Sequence, residues 1–317
     1  MGRGVQGTSG AAEDTREKLG RMALYSSFNL ALLALFTRLV PRWLVPPFAG
    51  LAGLLAYLLS GHQRRGQRAN LRIVTGKAQV EWLLLVSMYK FCRNWCDLVL
   101  MSRLRGPRLQ ALIGRRSNPE PLERALDAGT GAILISPHLG TWELGGLGLA
   151  DLGYRVNVLT YREPDEQVNE QRRRIREERG IGVIYVDRDD TSPLAIIEAV
   201  NALRRNEIVC LIGDRDGSSN TVTVPFFGRP TPLPAGSAHL ALATGAPVIP
   251  VFVVLEHDGR YATLMEEPIY FQAIPGHNRE VLQQGMTCLV AVFERYIRQY
   301  PDQWYNFFEF WNTHEKE

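Results

Sequence analysis

The sequence predicts an α/β protein with a mostly parallel central sheet flanked by helices, preceded by an apolar helical segment that acts as a membrane anchor. Two observations predict this: short β-rich stretches alternating with helical ones after Gly129, and two apolar runs ahead of His62. The β-rich stretches are GAILIS, RVNVLT, GVIYV, EIVCLI and PVIPVFVVL, with VNEQRRRIREERG and SPLAIIEAVNALRRN among the segments between them. Strands alternating with helices make a parallel sheet covered on both faces. VTVPFFG and YATLMEEPIYF read as antiparallel or edge elements, and Arg279 to Tyr300 as one amphipathic helix before an aromatic-rich end.

Three sections are expected: a flexible, Gly-rich leader over residues 1–18, a membrane-associating helical segment over 19–62, and a domain over 63–317. That domain reads as helical over 63–128, with Gly106-Pro107 closing one long helix, and as an α/β core over 129–317. The leader has no apolar stretch of the kind that directs export. The apolar runs FNLALLALFT and WLVPPFAGLAGLLAYLLS are separated by Arg38, Pro41 and Arg42 and followed by Arg64, Arg65 and Arg68. Trp43 to Ser60 is near the lower length limit for crossing a bilayer, and Pro46 and Pro47 are expected to break its first turns. A hairpin or oblique anchor dipping into one leaflet is the favoured reading, with a true span and a buried helical pair as alternatives. Arginines after an apolar segment fit the cytoplasmic face of the inner membrane.

A formal charge of +3 argues against a nucleic-acid partner. The cysteines, Cys92, Cys96, Cys210 and Cys288, form no C-x-x-C pair, so neither a zinc site nor a disulfide framework is expected, and no cofactor is called for. G-x-S-x-G and H-E-x-x-H are both missing, which leaves serine hydrolase and zinc hydrolase chemistry without support.

The segment ILISPHLGTWELGG puts a histidine at the end of a predicted buried strand, ahead of a helix that can begin at Thr141. Residues five apart in one helix lie about 140° apart around its axis, so His138 and Glu143 meet only if a strand-to-helix corner separates them. With Thr141 as N-cap, Glu143 falls in the first turn, where a carboxylate is favoured and is expected to orient the imidazole. His138 is then a general base for an incoming hydroxyl, and the amides around Gly140 are expected to hold an oxyanion. The run Arg172, Arg173, Arg174, Arg176 and Arg179 is either a solvated face paired with Glu170, Glu177 and Glu178, or a docking patch for an acidic carrier protein or anionic headgroups.

HLGTWE, then YREPDEQVN with a basic helix, then GDRDGSSNTVTVPFFGRPTPLPAGSAHLALATGAPVIPVF, resembles the late acyltransferases of lipid A biosynthesis, within the lysophospholipid acyltransferase-like superfamily, and the related phosphatidylinositol mannoside acyltransferases. The resemblance runs from about Leu19 to Trp311. It implies a glycerolipid acyltransferase-like fold with an H-x-x-x-x-E motif, in which His138 is the base and Glu143 its partner. It implies a donor thioester on acyl carrier protein or coenzyme A, and a lipid or glycolipid acceptor at the membrane surface.

By the same resemblance, Tyr161, Arg162 and Asn169 form a second block, with Arg162 facing an anionic group of donor or lipid. Asp214, Arg215 and Asp216 form a third, structural and orienting near the histidine. Phe226, Phe227 and Gly228 line the acyl channel, and Pro234 and Gly236 open a helix whose amides face a phosphate. The end PDQWYNFFEFWN departs from lipid A acyltransferases, which carry basic residues where this chain has Phe308, Glu309 and Phe310. That suggests an acceptor with fewer phosphates, such as an aminolipid, a glycolipid or a pigment. The competing readings are a metal-dependent glycosyltransferase using Asp214-x-Asp216 and a membrane assembly protein with a decayed site.

Overall fold

The computed structural model describes residues 42–162, 166–186, 193–215 and 220–311. The predicted leader and the first apolar run lie outside these residues. A turn of 3-10 helix, Arg42–Leu44, leads into α1 (Val45–Leu59), α2 (Gly61–Thr75) and α3 (Glu81–Met101). Pro46 and Pro47 do not break α1 as expected, because they stand in its opening turn, where a backbone N–H has no helical partner to lose.

One face of α1, with Val45, Ala49 and Gly53, is buried against α3. A Cβ on Gly53 would stand 2.7 Å from Tyr89 Cα, so glycine lets the two helices approach this closely. Arg42 donates to Gly259 O at 3.0 Å, and Arg93 to the same oxygen at 3.1 Å. The buried Asp97 pairs with Arg93 at 3.4 Å and accepts from Tyr261 Oη at 2.9 Å, which fastens α3 to the sheet.

After the short α4 (Pro107–Gln110) come β1 (Ile113–Arg116), α5 (Glu120–Asp127), β2 (Ala132–Ser136), α6 (Trp142–Asp151), β3 (Val156–Tyr161), α7 (Glu166–Glu177), β4 (Gly182–Val186), α8 (Leu194–Arg204) and β5 (Ile208–Ile212). The hairpin β6 (Thr221–Phe226) and β7 (Arg229–Pro234) follows, then α9 (Gly236–Thr244), β8 (Val248–Leu255), β9 (Tyr261–Met265) and α10 (Asn278–Gln299). The main sheet has the order β1-β9-β8-β2-β5-β3-β4, and β8, β2, β5, β3 and β4 are mutually parallel. β9 runs antiparallel to β8, one of the two expectations for it, and β1 pairs with its other side, so it is not an edge strand. The stretch read as helical over 63–128 contains β1, whose polar sequence IGRR suits an exposed sheet edge and carries no apolar alternation to reveal it.

β2 is buried at all five positions, as a central strand covered on both faces must be. Its side chains alternate: Ile133 and Ile135 enter the core formed with α8, α9 and α10, while Ala132 and Leu134 enter the one beneath α5 and α6. The strand is thereby held rigidly between two layers, and whatever follows Ser136 leaves the carboxyl end of the sheet at a defined place.

Candidate active site

β2 ends at Ser136 in register with Ile212 of β5, and the Gly213 amide donates to Ser136 O at 2.9 Å. Two residues past each strand end, His138 and Asp214 therefore emerge side by side at the carboxyl edge of the sheet, where open parallel sheets place their sites. Asp214 Oδ1 accepts the His138 amide at 3.0 Å and lies 2.6 Å from His138 Nδ1. An ionised Asp214 makes Nδ1 the protonated nitrogen, which leaves Nε2 basic. Asp214 Oδ2 accepts from Trp304 Nε1 at 2.9 Å and from Asn306 Nδ2 at 3.1 Å. Trp142 packs edge-on to the imidazole, with ring centroids 5.2 Å apart.

Burial lowers the basicity of His138 and Arg215 lowers it further, against the opposing pull of Asp214. Burial works against the Asp214 charge, but His138, Arg215 and the Trp304 hydrogen bond hold its carboxyl well below the usual carboxylate range. A neutral imidazole beside an ionised carboxylate is the resting state of a general base. Because the His138 pKa lies below its ordinary 6.5, kcat/KM is expected to hold as pH falls to that value and to decline only beneath it. A pH–rate profile checks this, and an acid limb centred above pH 7 contradicts it. The same depression means that the unfolded chain binds this proton first, so His138 also costs fold stability as pH drops below 6.5 toward the folded value.

Glu143 does stand in the first turn of α6, but it is not the carboxylate at the imidazole. Its Oε1 lies 2.5 Å from Arg176 Nη2 and 4.0 Å from Arg172 Nη1, and its Oε2 lies 3.4 Å from Arg176 Nε. Burial disfavours the Glu143 charge, yet Arg176 and then Arg172 keep its pKa below the ordinary value. The correction has a geometric cause: His138 leaves β2 beside its neighbour β5, whereas the second residue of α6 meets α7. Thr141 opens α6 without a side-chain cap, because its hydroxyl donates to Asn94 Oδ1 instead.

The amides around Gly140 are also spent. Gly140 N donates to Gln303 O at 2.8 Å and Thr141 N to Val253 O at 2.7 Å, while Gly140 O accepts from Asn94 Nδ2 at 3.2 Å. Gly140 therefore builds the corner and does not supply the oxyanion donor expected of it. Its φ of +66° is one that L side chains rarely adopt.

The remaining expected residues divide. Tyr161 ends β3, and the guanidinium of the next residue, Arg162, lies 4.3 Å over the Tyr185 ring near the end of β4. Asn169 is buried within α7. Arg215 donates to Asn306 Oδ1 and Tyr305 O and lies over Phe308, so it binds the C-terminal segment. Phe226 is fully buried against Trp304, Phe310 and Trp311. Phe227 (φ +50°) and Gly228 (φ +75°) form the tip of the β6–β7 hairpin, with the Phe227 amide donating to Glu294 Oε1 at 2.5 Å. Pro234 ends β7, and Gly236 is the first residue of α9.

Asp216 lies outside the described residues. Both oxygens of Asp214 are occupied by protein N–H groups, which counts against its serving a metal, and no group of three His, Cys, Asp or Glu suited to a metal occurs among the described residues.

The arginine run divides: Arg173 and Arg174 pair within their own helix, as the solvated-face reading expects, whereas Arg172, Arg176 and Arg179 turn toward other elements. Arg173 pairs with Glu170 and Glu177, Arg174 with Glu170, and Arg176 with Glu143. Arg179 is buried and donates to Met101 O at 3.1 Å and Ser102 O at 2.6 Å, capping the carboxyl end of α3. Sequence reasoning missed Trp304, Asn306, Gln303 and Asn94. The signal available was the pair of amide side chains, Gln303 and Asn306, set into an otherwise aromatic end.

A half-buried histidine held by a buried carboxylate at the carboxyl edge of a doubly covered, mostly parallel sheet places the protein in the α/β class. Residues 14–313 match the family model described as bacterial lipid A biosynthesis acyltransferase, and the chain belongs to that family. Among curated proteins it is similar to phosphatidylinositol mannoside acyltransferases. The one from Mycobacterium tuberculosis (strain ATCC 25618 / H37Rv) is 30% identical over 196 residues, 61% of this chain and 61% of the relative. The one from Mycolicibacterium smegmatis is 31% identical over 195 residues, 61% of this chain and 63% of the relative. The matched segment thus spans about three-fifths of these relatives.

Proposed function

We propose that this protein transfers a fatty acyl group from a thioester of acyl carrier protein or coenzyme A to a hydroxyl of a lipid or glycolipid at the cytoplasmic face of the membrane. The observation that carries the reading is His138, its Nδ1 held by Asp214 and its Nε2 left as base. The acceptor hydroxyl gives its proton to Nε2 as its oxygen attacks the thioester carbonyl. The C–O bond forms, the C–S bond breaks, and the imidazolium returns the proton to the departing thiolate. Asp214 stabilises the imidazolium and fixes its tautomer. Glu143 acts as a positioning residue, anchoring Arg176 and Arg172 beside α6.

The names of the mycobacterial relatives and the end with Phe308, Glu309 and Phe310 together favour a glycolipid acceptor over a lipid A precursor. Supplying the purified protein with a labelled acyl thioester and a total lipid extract, and identifying labelled lipids by mass spectrometry, tests this. A labelled glycolipid supports the reading, labelled lipid A precursor overturns the acceptor choice, and no labelled lipid with either donor overturns the reaction.

For the anchor, the residues Arg42–Leu59 have a mean hydropathy of 1.4 and only 17% of them are buried. Because α1 is bound along one face to α3, its exposed Leu51, Leu58 and Leu59, with the exposed Trp43 of the turn before it, suit an interfacial helix more than a free span. Changing Leu51, Leu55 and Leu58 together to Gln is expected to move the protein from pelleted vesicles to the supernatant in co-sedimentation assays while leaving its melting temperature within about 3 °C, because each side chain is exposed.

A further inference from the structure

The segment after α10 carries more of the site than its place in the chain suggests. Between Gln303 and Phe310 it runs along the edge of the catalytic corner. Its backbone accepts from Gly140 N at Gln303 O and donates from Tyr305 N to His138 O at 2.9 Å. Gln303 holds it to the sheet by a two-way amide contact, accepting from Leu255 N at 2.8 Å and donating to Leu255 O at 2.9 Å. From the other side α2 grips the same segment. Gln67 donates to Trp304 O at 2.8 Å, Asn70 donates to Asn306 O and Phe308 O at 2.7 Å each, and Phe310 N donates to Asn70 Oδ1 at 3.0 Å. A Cβ on Gly66 would stand 2.5 Å from Phe308 Cα, so α2 and the segment meet backbone to backbone.

We infer that Trp304 and Asn306 are positioning residues that lock the Asp214 carboxylate in the plane that presents Oδ1 to His138, with α2 holding them in place through Gln67 and Asn70. The inference rests on the reading of His138 as base. Its ground is the division of labour at the carboxylate: among the described residues Oδ1 accepts from the His138 amide and faces its Nδ1, and Oδ2 is held by the two C-terminal side chains. Free rotation about the Asp214 side chain would exchange the oxygens, and two N–H donors on Oδ2 prevent that. Asn306 is fully buried, donates to Asp214 and accepts from Arg215 Nε. The amide does both at once, its NH2 facing Asp214 and its oxygen facing Arg215. Leucine at this position would do neither, and aspartate would set a second carboxylate against the first.

Among the described residues, the charged groups bearing on His138 are Asp214 and Arg215. Without its Oδ2 donors, Asp214 concentrates charge on Oδ1 and favours the imidazolium. The test compares the wild-type chain, Asn306→Leu, Trp304→Phe, Asp214→Asn and the packing control Phe310→Leu for acyl transfer across pH. Trp304→Phe keeps an aromatic ring in the cluster and deletes one N–H, so it serves if Asn306→Leu does not fold. The expected result for either is kcat lower by about tenfold, KM within about twofold, and the acid limb of kcat/KM moved up by about half to one pH unit, the size of one lost hydrogen bond. Phe310→Leu is expected to lower the melting temperature and leave the acid limb in place. Folded Asn306→Leu and Trp304→Phe with an unmoved acid limb and unchanged kcat overturn the inference. Should Asp214→Asn itself retain wild-type turnover, the base reading falls and the inference with it; its collapse alongside unaffected clasp variants removes the inference alone.

Discussion

Asp214→Asn is expected to lower kcat on the order of a thousandfold while leaving the fold in place. The loss follows from the tautomer: an asparagine amide turned toward Nδ1 offers N–H where the imidazole needs an acceptor, so the ring is held with its proton on the nitrogen that should be basic. The size is that of a general base put out of action. Glu143→Gln is the informative comparison, because Glu143 meets Arg176 and Arg172 and makes no contact of this kind with the ring. Its main expected effect is on stability. Arg176 has only 8% of its side chain exposed and would lose the opposite charge of Glu143, at about 3 kcal/mol. Steady-state rates with denaturant unfolding on both variants separate the two roles, and a Glu143→Gln variant that is stable yet as inactive as Asp214→Asn would return Glu143 to the base.

The second large effect is expected at the corner itself. Gly140→Ala combines a left-handed backbone with a Cβ built 2.0 Å from Val253 O, and the contact is with rigid backbone of β8. The αL conformation alone costs a non-glycine residue roughly 1–2 kcal/mol. Relieving the overlap must also break the bonds from Gly140 N to Gln303 O and from Thr141 N to Val253 O, which raises the expected loss to about 3 kcal/mol or more. Because those bonds aim His138, activity is expected to fall with stability. Gly180→Ala supplies the control: its φ is +69°, yet nothing stands within 4 Å of the new Cβ. Its cost should stay near the backbone penalty alone. Equal losses from the two substitutions would show that the Val253 contact contributes nothing.

Some of this was readable along the chain. β2, β5 and β8 announce themselves as apolar runs because both faces of a central strand are covered, β3 and the terminal strand β4 do so with partly buried side chains, and α10 shows its amphipathic repeat. β1 does not, since an exposed edge strand of four residues has no core face to pattern. His138 was legible as a residue at the end of a buried strand. Arg176 and Arg179 read as members of a charged run, and only burial separates them from the solvated Arg174.

By itself the sequence determined the layer architecture, the placement of the histidine at the sheet edge, and membership of an acyltransferase family through blocks that span most of the chain. Tertiary structure decided which carboxylate serves that histidine. Spacing of five residues makes Glu143 the local candidate, but hydrogen bonding between β2 and β5 brings Asp214 to the imidazole across 76 residues of chain. A segment near the carboxyl end then fills the far side of Asp214. The physical reason is that a helix or strand period reports which way a side chain leaves its own element, whereas the neighbour it meets there is set by the order of strands in the sheet.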